Sequence, residues 1–308
     1  MYHSSVLAIL AKLETTYGVD AGPLAAQAIR AFDATWNPLE GTELERATAQ
    51  PYMGQGDHYV VGKYATCEFS VEAAGSGTAG TAPAYDACLR MAGLSPVITA
   101  GTDVAYAPVS TGHESASLYC ILDGKRYRTY GARADVTLEI EGAKVPSWRF
   151  KVTGLFVEVD AAAMPVVDFS AYMKPVPAEK AHIPEFTLHG YAAKFKKLTF
   201  GLGQKVEYRG LANDESVIIS ERKGTVNIDI EEPPLATKNY YQAVTSHTRG
   251  PLVLQHGTTA GNIIKVTAPA LQLSKPKTAK VNNIEHLQWS NAWLNPVSGD
   301  DESVVTIL

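Results

Sequence analysis

The stretch GSGTAG, Gly75 to Gly80, has the spacing G-x-G-x-x-G. Glycines so placed let a backbone approach a dinucleotide pyrophosphate at the start of a helix. A strand-like run, Ala65 to Ala73, precedes them, and a helix-like run, Pro83 to Ala92, follows. The flanks argue against a nucleotide. From Tyr64 to Ala73 polar and apolar residues alternate, which marks a half-buried strand of an antiparallel sheet. A nucleotide-binding first strand is covered on both faces and is apolar almost throughout. Thr81 is the expected N-cap with Pro83 in the first turn, which leaves the third glycine outside the helix. No βαβ alternation follows. The glycines read instead as a small-residue connection that swings the chain from a sheet edge onto a helix.

The remaining reactive side chains form no constellation. The eight histidines are scattered, with no i, i+4 pair on a helix. His113 and Glu114 stand beside Ser115 and Ser117 in a small, polar stretch that reads as a solvated loop. Asp300, Asp301 and Glu302 could hold a cation, but an acidic turn of this kind is usually hydrated. No nucleophile elbow or P-loop is present. Trp36, Trp148, Trp289 and Trp293 could stack sugars; Trp289 and Trp293, four apart in a strand-like run, should share a face, which core packing explains equally well. The expectation is a protein without catalytic residues, cofactor or metal.

Composition bounds the class. Of 308 residues, 45% are apolar and 19% charged, enough for a packed core in one large domain or two ordinary ones. The net charge of −5 disfavours tight, static binding to nucleic acid, which needs Lys and Arg clustered against phosphates. Cys67, Cys88 and Cys120 form no C-x-x-C pair, so neither zinc nor a disulfide framework is expected and a reducing compartment fits. The apolar run near the N-terminus is soon interrupted by Lys12 and Glu14 and has no basic region before it. It therefore predicts neither a signal peptide nor membrane insertion, and synthesis in the cytoplasm.

The elements that would position any site are mostly strands. Ser117 to Leu122 runs into Asp123-Gly124, a hairpin cue, and returns over Tyr127 to Tyr130. Asp135 to Gly142 and Trp148 to Val159 alternate. Residues 164–185 carry Pro165, Pro175, Pro177 and Pro184 without periodicity and read as an extended linker. Strands resume at Lys194 to Leu202 and Ser216 to Glu232, followed by a second helix candidate, Leu235 to Ser246. Gly250 to Gly257, Asn262 to Leu273, His286 to Val297 and Glu302 to Leu308 complete the set. Strand, loop, alternating strand, turn, helix, strand occurs twice in the same order. This divides the chain into a first domain, 1–163, the linker, 164–185, and a second domain, 186–308, read as a duplication; two unrelated β-rich domains are the alternative.

Several segments, in one order, resemble the tail tube proteins of bacteriophages with long non-contractile tails. They are KLETTYGVDAGP (Lys12 to Pro23), AGSGTAGTAPAYDACLRMAGL (Ala74 to Leu94), YAPVSTGHESASLYCILDGKRYRTYGARADVTL (Tyr106 to Leu138) and PSWRFKVTGLF (Pro146 to Phe156). FTLHGYAAKFKKLTF (Phe186 to Phe200), LQHGTTAGNIIKV (Leu254 to Val266) and NPVSGDDE (Asn295 to Glu302) extend the likeness more faintly. The resemblance implies a mainly β fold of two tandem sandwich or split-barrel domains, each flanked by one helix. It implies a virion protein whose copies form rings that stack into the hollow tail tube, through which double-stranded DNA passes during ejection. Its partners would be itself, the tape measure, tail terminator and distal tail proteins. Two domains in one chain imply a trimeric ring with pseudo-sixfold symmetry; a hexamer with outward second domains is the alternative. A loop of Pro51, Tyr52, Met53, Gly54, Gln55, Gly56, Asp57 and His58 would reach the adjacent ring. An N-terminal arm, Met1 to Ala21, would do likewise, both mobile until stacking. An acidic lumen would repel DNA, with Glu68, Ser70 and Glu72 on the polar face of one wall strand. The rival readings are a two-domain carbohydrate-binding sandwich and a secretion-system tube subunit.

Overall fold

Alternation writes the strands of this chain, and ladders join all but one hairpin into a continuous system. The computed structural model describes residues 7–308. The first half holds β1 (Leu7–Leu13), β2 (Ala28–Ile29), β3 (Ala31–Glu45), β4 (His58–Glu72), α1 (Asp86–Met91), β5 (Leu94–Thr99) and β6 (Asp103–Pro108). It continues with β7 (Ala116–Leu122), β8 (Lys125–Glu141), β9 (Ser147–Phe156) and β10 (Asp160–Ala161). The second half holds β11 (Glu185–Leu188), β12 (Phe195–Gly201), β13 (Gln204–Leu211), β14 (Asp214–Arg222), β15 (Thr225–Glu231) and α2 (Tyr240–Thr245). β16 (Arg249–His256), β17 (Ile264–Gln272), β18 (Lys277–Val281), β19 (Ile284–Leu294) and β20 (Val304–Ile307) follow. The protein is mainly β, with large antiparallel sheets and two short helices.

The ladders of the first half recur in the second. In the first, β1 pairs β7, β7 pairs β8, β8 pairs β9, β9 pairs β4 and β4 pairs β3, while β10 returns to the start of β8. In the second, β11 pairs β16, β16 pairs β17, and β17 and β18 pair β19. β19 then pairs β15, β15 pairs β12, and β20 returns to the start of β17. The helix follows β4 in one set and β15 in the other. The tyrosine at its start meets the strand paired with that one: Tyr85 accepts a hydrogen bond from the Trp148 indole (3.3 Å), and Tyr240 packs edge-on to Trp289 (5.3 Å). One buried cluster contains all four rings, so the two sets share a single core.

Local chemistry explains the turns and ends. Asp123 and Gly124 both have positive φ, 45° and 91°, as the two-residue hairpin between β7 and β8 requires. Both helices are shorter than the sequence suggests. Pro83 makes a turn by accepting from the Asp86 N–H, and α1 begins only after Tyr85, so Thr81 caps nothing. α2 starts at Tyr240 because Asn239 accepts from the Gln242 N–H at 3.0 Å, a side-chain cap that ends the turn begun at Pro234. The arcs Tyr127–Tyr130 and Asp135–Gly142 are one strand, β8, which shifts register between Tyr130 and Arg133. Trp289 and Trp293 do not share a face. A bulge, with Asn291 at φ 64°, inserts one residue between them, so Trp289 is buried and Trp293 is half exposed.

Two connections differ from their sequence reading. Residues 164–185 are irregular, yet they lie against the body. Ala178 exchanges backbone hydrogen bonds with Ala143 and Lys144, and Tyr172 donates to the Ala28 carbonyl. The N-terminal arm is no free arm from Leu7 onward, because β1 forms a seven-residue ladder with β7 and its Ala8–Ala11 stretch is buried. Residues 1–6 of that arm lie outside the described residues.

Candidate assembly site

The two halves meet along sheet edges. β8 is seventeen residues long, and on its edge opposite β9 it changes partner: β7 occupies the first part and β12 the last. The β8–β12 ladder runs from Thr137–Gly201 to Glu141–Lys197. Leu138, Ile140, Leu198 and Phe200 turn into the core, while Lys197 forms ion pairs with Glu139 and Glu141 on the other face. A second seam pairs β6 with β20 over Val104 to Tyr106. Backbone contact makes a third. The Gly77 N–H donates to the Gly261 carbonyl (2.9 Å), and the Gly75 N–H donates to the Asn262 side chain (2.8 Å). A Cβ on Gly75 would stand 2.0 Å from that carbonyl, so the glycine stretch exists for close packing between halves.

The β13–β14 hairpin leaves the second half and lies across β8 and β9 of the first. Arg133 donates to the Val217 carbonyl (2.6 Å), Tyr208 stacks on Tyr64 (5.3 Å), and the Gln204 N–H donates to Asp135 (2.9 Å). At its base Arg222 donates to the Val109 carbonyl (2.8 Å), to Asp300 (2.6 Å) and to Glu302. The acidic turn 300–302 is therefore an ion-paired clamp. Asp301 spends its carboxylate on the N–H groups of Val297, Ser298 and Gly299. Glu114 pairs Arg90 while its side chain stays partly exposed.

Among the strand edges that stay open are one in each half, β3 and β18. Among the described residues β3 pairs only β4, and β18 pairs only β19. The hairpin of β3 and β4 projects beyond the core, with Leu39, Leu44, Tyr59, Val60 and Val61 exposed. Its apex is the Pro51–His58 segment, where Tyr52 and Met53 are exposed and Arg46 and Asp57 close the base through one backbone bond of 2.8 Å.

Glu68, Ser70 and Glu72 lie on the half-exposed face of β4, opposite buried Cys67, Phe69 and Val71. Across the ladder they meet Lys151, Arg149 and Ser147 of β9. Arg149 donates to Glu68 at 2.6 Å and holds its carboxyl below the usual range. The face is thus a mixed-charge strip, less acidic than the sequence alone suggests. Trp148 and Trp289 are fully buried and offer no ring to a sugar. The Tyr85–Trp148 and Tyr240–Trp289 pairs were not read from the sequence; a tyrosine opening each helix was the available signal.

Among the described residues no group of three His, Cys, Asp or Glu could hold a metal ion. No described helix is long and apolar enough to cross a membrane. All three cysteines are free and buried. Paired ladders, exposed edges and a shared core define a structural β protein whose conspicuous surfaces are strand edges. The chain belongs to the phage tail tube protein family, whose sequence profile matches residues 4–290. It is accordingly a structural component of the virion tail. No curated protein matches the sequence.

Proposed function

We propose that copies of this chain close into rings, and that the rings stack into the hollow tail tube through which double-stranded DNA passes. The observation that carries this reading is the recurrence of one set of ladders within a chain that leaves a β3 edge and a β18 edge open. Unpaired N–H and C=O groups on an edge recruit further strands, and closure of a ring removes the edge. The repeated ladders support a division into 1–163 and 186–308, joined by 164–185, that arose by duplication. Six repeats in three chains then form one pseudo-sixfold ring. The exposed Pro51–His58 apex supplies the stacking contact to the next ring, and the tape measure, terminator and distal tail proteins meet the tube at its bore and ends. Glu68, Ser70 and Glu72 face the bore. Duplex DNA carries about one negative charge per 1.7 Å, so a strip whose positive charges are already paired gives it little to adhere to.

Negative-stain microscopy of the purified protein, with symmetry analysis of end-on views, tests the reading. Hollow stacked rings with three strong repeats are expected. A monodisperse monomer at millimolar concentration refutes it, and strict sixfold symmetry with six chains per ring refutes the trimer.

A further inference from the structure

The internal seam is also a template. The ladders place the two halves in residue-by-residue correspondence. The Ala73 N–H donates to the Pro146 carbonyl and the Glu232 N–H to the Glu285 carbonyl, so Ala73 matches Glu232 and Ser147 matches His286. Counting back along β4 and β15, Glu68 matches Asn227, and their partners Thr35 and Thr199 match. Across β9 and β19, Glu139 pairs Ser147 and Ala279 pairs His286, so Glu139 matches Ala279. Inside the chain Glu139 pairs Thr199. The matching residues, Ala279 and Thr35, lie on two edges that the chain leaves open, β18 and β3.

From this correspondence we infer that the contact between neighbouring copies repeats the internal seam: β18 of one chain adds to β3 of the next. The register sets Lys277 opposite Asn37, Thr278 opposite Trp36 and Ala279 opposite Thr35. The inference rests on the ring assembly proposed above and specifies its partner surface.

Three features agree with this pairing. Trp36 packs against the core, as Phe200 does in the internal seam, so β3 presents an inward apolar residue at the matching position. Charge also matches: β18 carries Lys277 and Lys280, while β3 carries Asp33 and Glu40. The internal seam has the opposite polarity, Glu139 and Glu141 on β8 against Lys197 on β12. A β18 edge set against β12 would place Ala279 and Val281 where Glu139 and Glu141 stand, so that contact would lack the ion pairs of the internal seam. Lastly, the outer part of the β3–β4 hairpin corresponds to β13–β14, whose Val217 is fully buried against the neighbouring repeat. Exposed Leu39, Leu44, Val60 and Val61 gain the same cover on the β17–β19 face of the next chain.

Cysteine pairs in the full-length protein test the register, since a disulfide requires Cα atoms within about 7 Å. Thr35→Cys with Ala279→Cys should give interchain bands on non-reducing gels of oxidised rings. Thr35→Cys with Lys277→Cys, shifted by two residues, should give at most a tenth of that yield. Glu139→Cys with Thr199→Cys should close within one chain. The unsubstituted protein, with its three buried thiols, sets the background. Rings or tubes that cross-link only in the shifted pair, or not at all, overturn the edge assignment and leave ring assembly standing. A protein that forms neither ring nor tube overturns both. Hydrogen exchange on the unmodified protein is the second measurement: amides of 33–37 and 277–281 should slow at least about tenfold between monomer and tube. Unchanged exchange at both edges in tubes refutes the pairing.

Discussion

Replacing Arg222 by Met should be among the most damaging single changes that leave the hydrophobic core intact. The guanidinium is 14% exposed and its partner Glu302 8%, and the fork ties β14 to the β6–β7 loop through Val109 and to the C-terminal segment through Asp300 and Glu302. Arg222→Met keeps most of the stem and removes every donor. Glu302 is then a buried carboxylate without its cation, a situation that costs about 3–5 kcal/mol. Exposed ion pairs elsewhere on the molecule are worth at most about 1 kcal/mol, so the two cases separate cleanly. Urea unfolding of the monomer, followed by tryptophan fluorescence, reads the difference with the slope unchanged. Adding Glu302→Leu to Arg222→Met should recover about 1–4 kcal/mol, because two apolar groups replace a pair whose desolvation was costly from the start. A loss below about 1 kcal/mol for Arg222→Met, or no recovery in the double variant, would show that water reaches the clamp and that the reasoning from burial is wrong.

Further outcomes are expected. Gly75→Ala forces a Cβ into the Gly261 carbonyl and should cost about 1–3 kcal/mol, whereas Gly54→Ala, in open space, should stay within about 0.5 kcal/mol; equal effects in thermal melts would refute the glycine contact. Burial pushes His189 and His256 below the usual imidazole range, so the unfolded chain takes up their protons first. Their contribution is whole above about pH 6.5 and lost as pH falls. His256→Gln should flatten that part of the stability profile. Hydrogen bonds from Arg149, Arg126 and Ser110, in turn, hold Glu68, Asp160 and Asp300 below the usual carboxylate range. Their smaller contributions persist above about pH 4 and vanish below it. Deleting Gln55 to Asp57 should leave a folded subunit that forms no tubes; normal tubes in the microscope would refute the stacking role. Glu68→Lys with Glu72→Lys should leave tubes intact yet slow DNA release in low salt, and unchanged ejection would remove both residues from the bore.

The sequence carried the strand content, the Asp123-Gly124 turn and the twofold order of elements, because each is written in adjacent residues: a period of two, or a dipeptide that tolerates positive φ. It also carried the polar face of β4. Edge strand β18 was not legible, since Lys277 to Val281 sits in the open with no buried face to impose alternation on its residues. The helix boundaries slipped because Pro83 and Pro234 turn the chain without starting a helix. Trp293 was misplaced because one inserted residue at Asn291 inverts everything after it.

Which residues oppose each other across long stretches of chain is a different kind of information. The pairing of β8 with β12, the contact of Gly75 with Gly261 and the clamp of Arg222 on Glu302 depend on where distant segments are brought by the shared core. Nothing local encodes such distances. Side-chain order along the chain determined what each strand could bury; only the folded molecule decided which edges are satisfied within one chain and which wait for the next.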